Sequence, residues 1–139
     1  MELRDRRSLA YSVYAFSQEG LEPGSFGVYM ATAAGKVREA LDGIRAELDK
    51  IRSQPVGPEE LKRATNNIAG GFEIGLQRNS SLAASLAFDQ LYGLGYDFYR
   101  TYPDRILKVT AEEVLTAARK YINLDNYVLV LVGPSGARQ

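Results

Sequence analysis

The chain has 139 residues, which is about the length of one domain. Hydrophobic residues make up 45% and charged residues 24%, a composition typical of a globular protein and not of a disordered one. Seventeen basic residues balance seventeen acidic ones, so the charge gives no reason to expect nucleic acid or an anionic membrane as a partner.

Two residue types that most enzymes rely on are missing. The chain contains neither Cys nor His. Disulfides, thiol chemistry, histidine general bases and zinc sites that use histidine are therefore excluded for this chain. A metal held by carboxylates alone is not excluded.

The first third of the chain reads as a helix end followed by two strands. The basic residues within 1–7 are typical of the last turn of a helix. A β-branched and aromatic segment at 9–17, a turn rich in Gly and Pro, and an alternating segment at 25–32 predict an antiparallel hairpin over 9–32. Both faces of its first strand are apolar, so we expect the strand to be covered on both sides.

Helical spacing of apolar residues begins after residue 34. The sequence predicts helices at about 35–54, 58–78, 80–93, 96–109 and 110–122. The apolar stripe of the first contains Val37, Ala40, Leu41, Ile44, Leu48 and Ile51, and that of the second contains Leu61, Ala64, Ile68, Phe72 and Leu76.

Three local motifs refine these helices. Gly70-Gly71 inside the second helix indicates close packing against a neighbouring helix, with a kink as the alternative. The pairs Glu59/Glu60 and Glu112/Glu113 lie in first turns, where carboxylates favour the helix dipole. Thr110 and Glu113 have the spacing of a capping box.

The apolar run at 127–132 predicts a buried central strand. The fold class is therefore α+β, with a small, antiparallel-rich sheet and helices packed mainly on one face. Because three strands would leave open edges beside covered strands, we expect at least one strand to be missing and the domain to be incomplete. From the residues alone, Tyr14, Tyr29, Tyr92 and Tyr121 are interpreted as core aromatics.

Residues 3–13, Leu-Arg-Asp-Arg-Arg-Ser-Leu-Ala-Tyr-Ser-Val, resemble a segment of the M16 zinc peptidases, the pitrilysin and mitochondrial processing peptidase family. Further segments resemble the family in the same order: Gly24-Ser25-Phe26-Gly27, Gly57-Pro58-Glu59-Glu60-Leu61, Asn79-Ser80-Ser81-Leu82, Tyr92-Gly93-Leu94-Gly95, the helix start at 109–114 and the end at Gly133-Pro134. The resemblance covers nearly the whole chain. It implies one partial M16 domain over 1–139, the later part of the C-terminal, non-zinc domain.

The resemblance implies roles for two residues seven positions apart. Arg4 matches the arginine that contacts a substrate carbonyl, and Tyr11 matches the tyrosine whose hydroxyl stabilises the tetrahedral intermediate. A guanidinium on the peptide backbone and a phenol at a developing oxyanion are effective in a closed, dry chamber. Without the resemblance, Arg4 reads as a solvated charge and Tyr11 as a core aromatic.

The resemblance also implies a partner. The zinc-binding half of the family carries His-x-x-Glu-His, and this chain has no His. We therefore expect zinc to be bound by another domain or subunit, the substrates to be peptides or unfolded polypeptides, and this chain alone to be inactive. The alternatives are a structural or assembly member of the family, like the core subunits of the respiratory cytochrome bc1 complex, and an unrelated α+β interaction module.

Two expectations concern location and association. No apolar run is long enough for a membrane helix, and residues 1–9 lack the apolar stretch of a signal peptide, so we expect a soluble protein. The sequence leaves its compartment open, and the bacterial cytoplasm or periplasm is our expectation. Strands that are apolar on both faces but lack a neighbour tend to pair with other chains. We therefore expect self-association, with the hairpin as the contact.

Overall fold

The computed structural model describes residues 9–18 and 20–134. The strands are β1 (Ser12–Gln18) and β2 (Ser25–Ala31), and the helices are α1 (Val37–Ser53), α2 (Pro58–Gly75), α3 (Asn79–Leu91), α4 (Tyr102–Leu107) and α5 (Ala111–Tyr121). Single 3-10 turns at Ala34–Lys36 and Phe98–Arg100 precede α1 and α4. The predicted α+β class is confirmed. The helix end predicted within 1–7 lies outside the described residues.

The described residues divide into two compact units. The first contains 9–18, 20–54 and 116–134, and the second contains 55–115. The assignment of the whole chain to one partial domain stays a prediction.

The hairpin of the first unit is antiparallel, with a register that runs from Ser12 opposite Ala31 to Gln18 opposite Ser25. The predicted hairpin therefore forms. Seven residues of each strand pair without a bulge, and the Gly- and Pro-containing segment between the strands forms the turn.

One face of the hairpin carries Tyr14, Phe16 and Tyr29, which we call the aromatic face. Tyr14 stacks on Tyr29, its cross-strand partner, with ring centroids 5.0 Å apart. Such pairs stabilise the register of a hairpin. The predicted cover on both sides is not found among the described residues, where the three side chains are 53%, 43% and 48% exposed.

Helix α1 buries the stripe that the sequence predicts. Ala40 and Gly43 are buried, and none of the six predicted apolar positions is fully exposed. At its C-terminal end, Arg119 Nε donates a hydrogen bond to the backbone oxygen of Arg52 at 2.9 Å. A basic side chain at this end satisfies a free carbonyl of the last turn and complements the helix dipole.

Helix α2 in the second unit buries the predicted stripe only in part. Its buried residues are Thr65 and Ala69, whereas Ala64 is exposed and Ile68 is 46% exposed. The other three predicted positions, Leu61, Phe72 and Leu76, are half-buried and lie on the same side of the helix as Thr65 and Ala69. Phe72 packs against Tyr102 of α4, with ring centroids 4.5 Å apart. This contact turns the Thr65 and Ala69 side of α2 inward.

The Gly70-Gly71 pair does not mark close packing. A Cβ built at either residue would meet no atom of the described chain, outside the helix's own backbone, within 4 Å. The prediction of a helix–helix contact at this pair is therefore wrong.

The region predicted as a helix at 96–109 contains a 3-10 turn and the short helix α4. Gly93 and Gly95 have φ values of 74° and 88°, which end α3 and redirect the chain. Pro103 lies in the first turn of α4, where a missing N–H is tolerated. The capping box of α5 is confirmed, because the Glu113 N–H donates to Thr110 Oγ1 at 3.2 Å and the Thr110 N–H donates to Glu113 Oε2 at 2.8 Å.

Segment 127–132 is not the buried strand that its composition predicts. It pairs with no strand among the described residues, and Val128, Val130 and Val132 are 89%, 75% and 96% exposed. A strand exists only where a partner takes up its backbone donors and acceptors. The composition of this segment favours a strand, but the described residues contain no strand that pairs with it.

Candidate functional site

The candidate site is the start of the hairpin, where Tyr11 lies. The Tyr11 N–H donates a hydrogen bond to the Ala31 oxygen at 3.0 Å, and the Thr32 hydroxyl donates to the Leu9 oxygen at 2.6 Å. Leu9 is 2% exposed, whereas the Tyr11 side chain is 89% exposed. The phenol therefore projects into solvent from a backbone that hydrogen bonds hold at both Leu9 and Tyr11.

The local chain path explains this exposure. Residue 11 lies at a bend, and the regular ladder begins only at Ser12. Side chains alternate between faces only within a ladder. The bend separates the buried Leu9 from the exposed Tyr11, although the two residues are two apart. The interpretation of Tyr11 as a core aromatic is wrong for this structure.

Arg4, the second residue with an implied role, lies outside the described residues. The structure therefore positions Tyr11 alone of the two predicted site residues.

The tyrosines interpreted as core residues are partly or largely exposed. Tyr14, Tyr29, Tyr92 and Tyr121 are 53%, 48%, 36% and 68% exposed. The aromatic face formed by the first two and Phe16 was not predicted from the sequence. Aromatic residues at alternate positions of one strand, opposite a third on its hairpin partner, are the signal that could have found it.

Among the described residues, two ionisable groups have pKa values shifted by their surroundings. Hydrogen bonds from the backbone N–H and the hydroxyl of Thr110 lower the pKa of the Glu113 carboxyl. A hydrogen bond from Arg100 Nε to the Tyr99 hydroxyl, 3.1 Å long, raises the pKa of the Arg100 guanidinium. Both partners are within three residues along the chain, so these shifts mark local structure and not an active site.

The residues of this chain do not fit a zinc ion. The chain has no His and no Cys, the preferred zinc ligands in proteins. In the described ranges, no three carboxylates come together to hold a metal ion. The acidic pairs of α2 and α5 lie in first turns, as predicted from the helix dipole. No helix among the described residues is long and apolar enough to cross a bilayer.

Comparison with known proteins relates this chain to the M16 peptidases. Residues 1–68 match the family model described as the Peptidase M16 inactive domain. A Streptomyces coelicolor protein named an uncharacterized zinc protease is 28% identical over 138 residues, which are 99% of this chain. A Mycobacterium tuberculosis protein of the same description is 28% identical over 139 residues, also 99% of this chain.

Solved structures show the same fold. A candidate zinc protease of Bordetella pertussis superimposes with a TM-score of 0.71 at 22% identity, covering 89% of this chain and 71% of that one. The inactive peptidase domain of a candidate zinc protease from Bordetella parapertussis gives a TM-score of 0.70 at 20% identity, covering 94% and 72%. The resemblance to the M16 family, through its inactive domain, is confirmed.

The chain is much shorter than the relatives that it matches. It spans 30% of the length of the Streptomyces protein and 31% of the Mycobacterium protein. Zinc belongs to the proteases of this family, and the match of this chain is to their inactive domain.

Proposed function

We propose that this chain is the substrate-binding, non-zinc part of a zinc metalloendopeptidase that acts on peptides or unfolded polypeptides. The match to the M16 inactive domain and the relatives named zinc proteases support this role. The lack of His and Cys supports a division of labour, in which a zinc-bearing M16 domain or subunit holds the metal.

The observation that carries the proposal is the exposed phenol of Tyr11 on an anchored backbone. A side chain on a fixed backbone loses less freedom when it binds than one on a loose loop. Its hydroxyl is free to donate a hydrogen bond to the carbonyl oxygen of a bound peptide as that oxygen gains negative charge. In this proposal Tyr11 and Arg4 both bind substrate and both assist catalysis at a zinc site that another domain or subunit supplies.

Arg4 has a complementary role in the proposal. A guanidinium presents several N–H donors in a fixed plane, and a substrate carbonyl accepts from them. Such a contact is made by the ground state as well as by the transition state, so Arg4 binds and orients the peptide, whereas Tyr11 acts on the reacting carbonyl.

A structural or assembly role within the same family is the second candidate. It is favoured by the exposed apolar surface of the aromatic face and of segment 127–132. The third alternative, an unrelated interaction module, is not supported by the family match or the related proteins.

The test combines the purified chain with the zinc-bearing M16 domain of the same organism and measures hydrolysis of an unfolded polypeptide. The proposal expects the mixture to hydrolyse the polypeptide faster than the zinc-bearing domain alone. It also expects Tyr11→Phe to abolish most of this gain, whereas Tyr14→Phe, which removes a hydroxyl from the same hairpin, leaves it intact. A complex that forms without any gain in hydrolysis would instead support the assembly role.

A further inference from the structure

Segment 127–132 has the side-chain pattern of a strand although it is unpaired. The three valines at even positions are 75% to 96% exposed, whereas Leu129 and Leu131 are 47% and 43% exposed. Exposure thus alternates with a period of two, as it does along a strand with one face turned to the protein. The segment thus has the side-chain alternation of a strand, but within the described ranges its backbone forms no ladder of hydrogen bonds with another strand.

The start of the segment is attached to the first unit. The Arg45 guanidinium on α1 donates a hydrogen bond to the Tyr127 hydroxyl, and its central carbon lies 5.3 Å from the centroid of the Tyr127 ring. A cation over an aromatic face adds attraction to the hydrogen bond. The Tyr127 end of the segment is therefore fixed to helix α1 of the first unit.

The hairpin of the same unit has open edges. Among the described residues, β1 pairs only with β2 and β2 only with β1, so each has one free row of backbone donors and acceptors. Native proteins protect such edges with charged residues or proline. Neither strand contains a charged residue or a proline, and segment 127–132 contains neither.

We propose that segment 127–132 of one copy pairs with an open hairpin edge of a second copy, and that the second copy returns the same contact about a two-fold axis. Each copy carries one unpaired apolar segment and unprotected hairpin edges, so in a two-fold dimer each copy supplies the pairing partner that the other lacks. Charge does not oppose this pairing, because the chain has a net charge of zero and both contact segments are uncharged.

The exposed apolar surface of each copy is comparable in area with one side of a standard protein interface. A valine or leucine side chain has roughly 100 Å² of apolar surface and an aromatic side chain about 200 Å². At the observed exposures, segment 127–132 offers about 450 Å² and the aromatic face about 300 Å². Each copy thus presents about 750 Å², close to the roughly 800 Å² per partner of standard protein interfaces.

The test measures the mass of the 139-residue chain by sedimentation velocity and light scattering from low to high micromolar concentration. The wild type is expected to have twice the monomer mass. Val130→Lys places a charge in the middle of the segment and is expected to give a monomer with an unchanged circular dichroism spectrum, because Val130 is 75% exposed. The matched control Ile74→Lys adds the same charge at a 67% exposed position of α2 and is expected to stay dimeric.

A wild-type monomer at all concentrations would overturn the proposal, and so would a Val130→Lys protein with the mass of the wild type. Amide hydrogen exchange distinguishes the other occupants. Protection of 128–132 in a monomer would mean that the segment pairs within its own chain, and protection only after addition of a zinc-bearing M16 domain would assign it to that partner. Either result contradicts pairing between copies and leaves the proposed peptidase role untouched, because that role is tested by hydrolysis.

Discussion

The ring of Phe16 on β1 covers the backbone of Gly27, its cross-strand partner on β2. A Cβ at residue 27 would lie 2.9 Å from Phe16 Cε1 and 3.0 Å from Cε2. A glycine in a strand has no side chain to pack, and an aromatic neighbour can shield its backbone instead. This pair and the Tyr14–Tyr29 stack beside it hold the hairpin that carries Tyr11.

Gly27→Ala should therefore destabilise the protein. The new methyl group displaces the Phe16 ring, which costs about 1–2 kcal/mol, and replacing a strand glycine by alanine offsets about 0.5–1 kcal/mol of this, so we expect a net loss of up to about 1 kcal/mol. Urea denaturation gives the loss, and the ring resonances of Phe16 report the displacement. The control is Gly70→Ala, which meets no atom within 4 Å and should stabilise α2 by about 0.5–1 kcal/mol. Equal effects of the two substitutions would contradict the packing of Phe16 on Gly27.

Leu115→Ala should be among the most damaging substitutions in the described chain. Leu115 on α5 is 6% exposed, so removing its side chain leaves a cavity that costs about 3 kcal/mol. Leu107→Ala, at a leucine that is 50% exposed, is the control and should cost less than about 1 kcal/mol. Chemical denaturation, analysed with one m-value for both variants, measures the two losses of unfolding free energy. Similar midpoints for the two variants would show that Leu115 is not a core residue.

Tyr11→Phe should lower kcat with little change in KM when the chain acts together with a zinc-bearing M16 domain. The hydroxyl is proposed to act on the developing charge only, and loss of one such donor typically reduces kcat by about 10²–10³-fold. Arg4→Ala should raise KM as well, because it also binds the ground state. Steady-state kinetics separates these effects, with Tyr14→Phe as the matched control. If Tyr11→Phe keeps the kcat/KM of the wild type, Tyr11 has no catalytic role.

The capping box should make stability depend on pH through Glu113. Hydrogen bonds from Thr110 lower the pKa of Glu113 in the folded state, so as pH falls the unfolded chain takes up the proton first. The stabilisation is complete above the ordinary glutamate pKa of about 4.3 and is lost as pH falls through the lowered value.

Glu113→Gln keeps an acceptor for Thr110 but does not titrate, so its Tm should fall less steeply on acidification than the Tm of the wild type. Thermal unfolding followed by circular dichroism from about pH 6 to about pH 3 checks this. Glu112→Gln, which removes the neighbouring carboxylate, should retain the wild-type slope. Parallel curves for all three proteins would contradict a role of the Thr110–Glu113 hydrogen bonds in acid stability.

The isolated chain should neither bind zinc tightly nor cut peptides. The reason is its donor set, which has no His and no Cys. Metal analysis after dialysis against zinc and a peptide hydrolysis assay with and without a chelator check both statements. Stoichiometric zinc together with hydrolysis that the chelator stops would contradict them.

Local patterns were predictable because they depend on residues that are near in the chain. The alternation that forms the hairpin, the apolar stripe of α1 and the Thr110–Glu113 box all involve neighbours within a few positions, and the structure forms all three. The resemblance to M16 proteins was also readable from short segments in a fixed order, and the comparisons confirm it.

Burial was less predictable, because it depends on which surfaces meet. The Thr65 face of α2 turns inward where Phe72 packs on Tyr102 of another helix, a contact that no spacing within α2 reveals. From the residues alone Tyr11 is interpreted as a core aromatic, whereas the family resemblance favours a site residue; the structure shows that its phenol is exposed at the bend before β1.

Residue type and short-range spacing are sufficient to predict the α+β class, the hairpin, the capping box of α5 and the lack of zinc ligands. The tertiary structure alone decided the exposure of Tyr11, of the aromatic face and of segment 127–132. The physical reason is that an apolar strand is buried only where a partner supplies hydrogen bonds and a covering surface, and composition records the tendency to pair but not the presence of the partner.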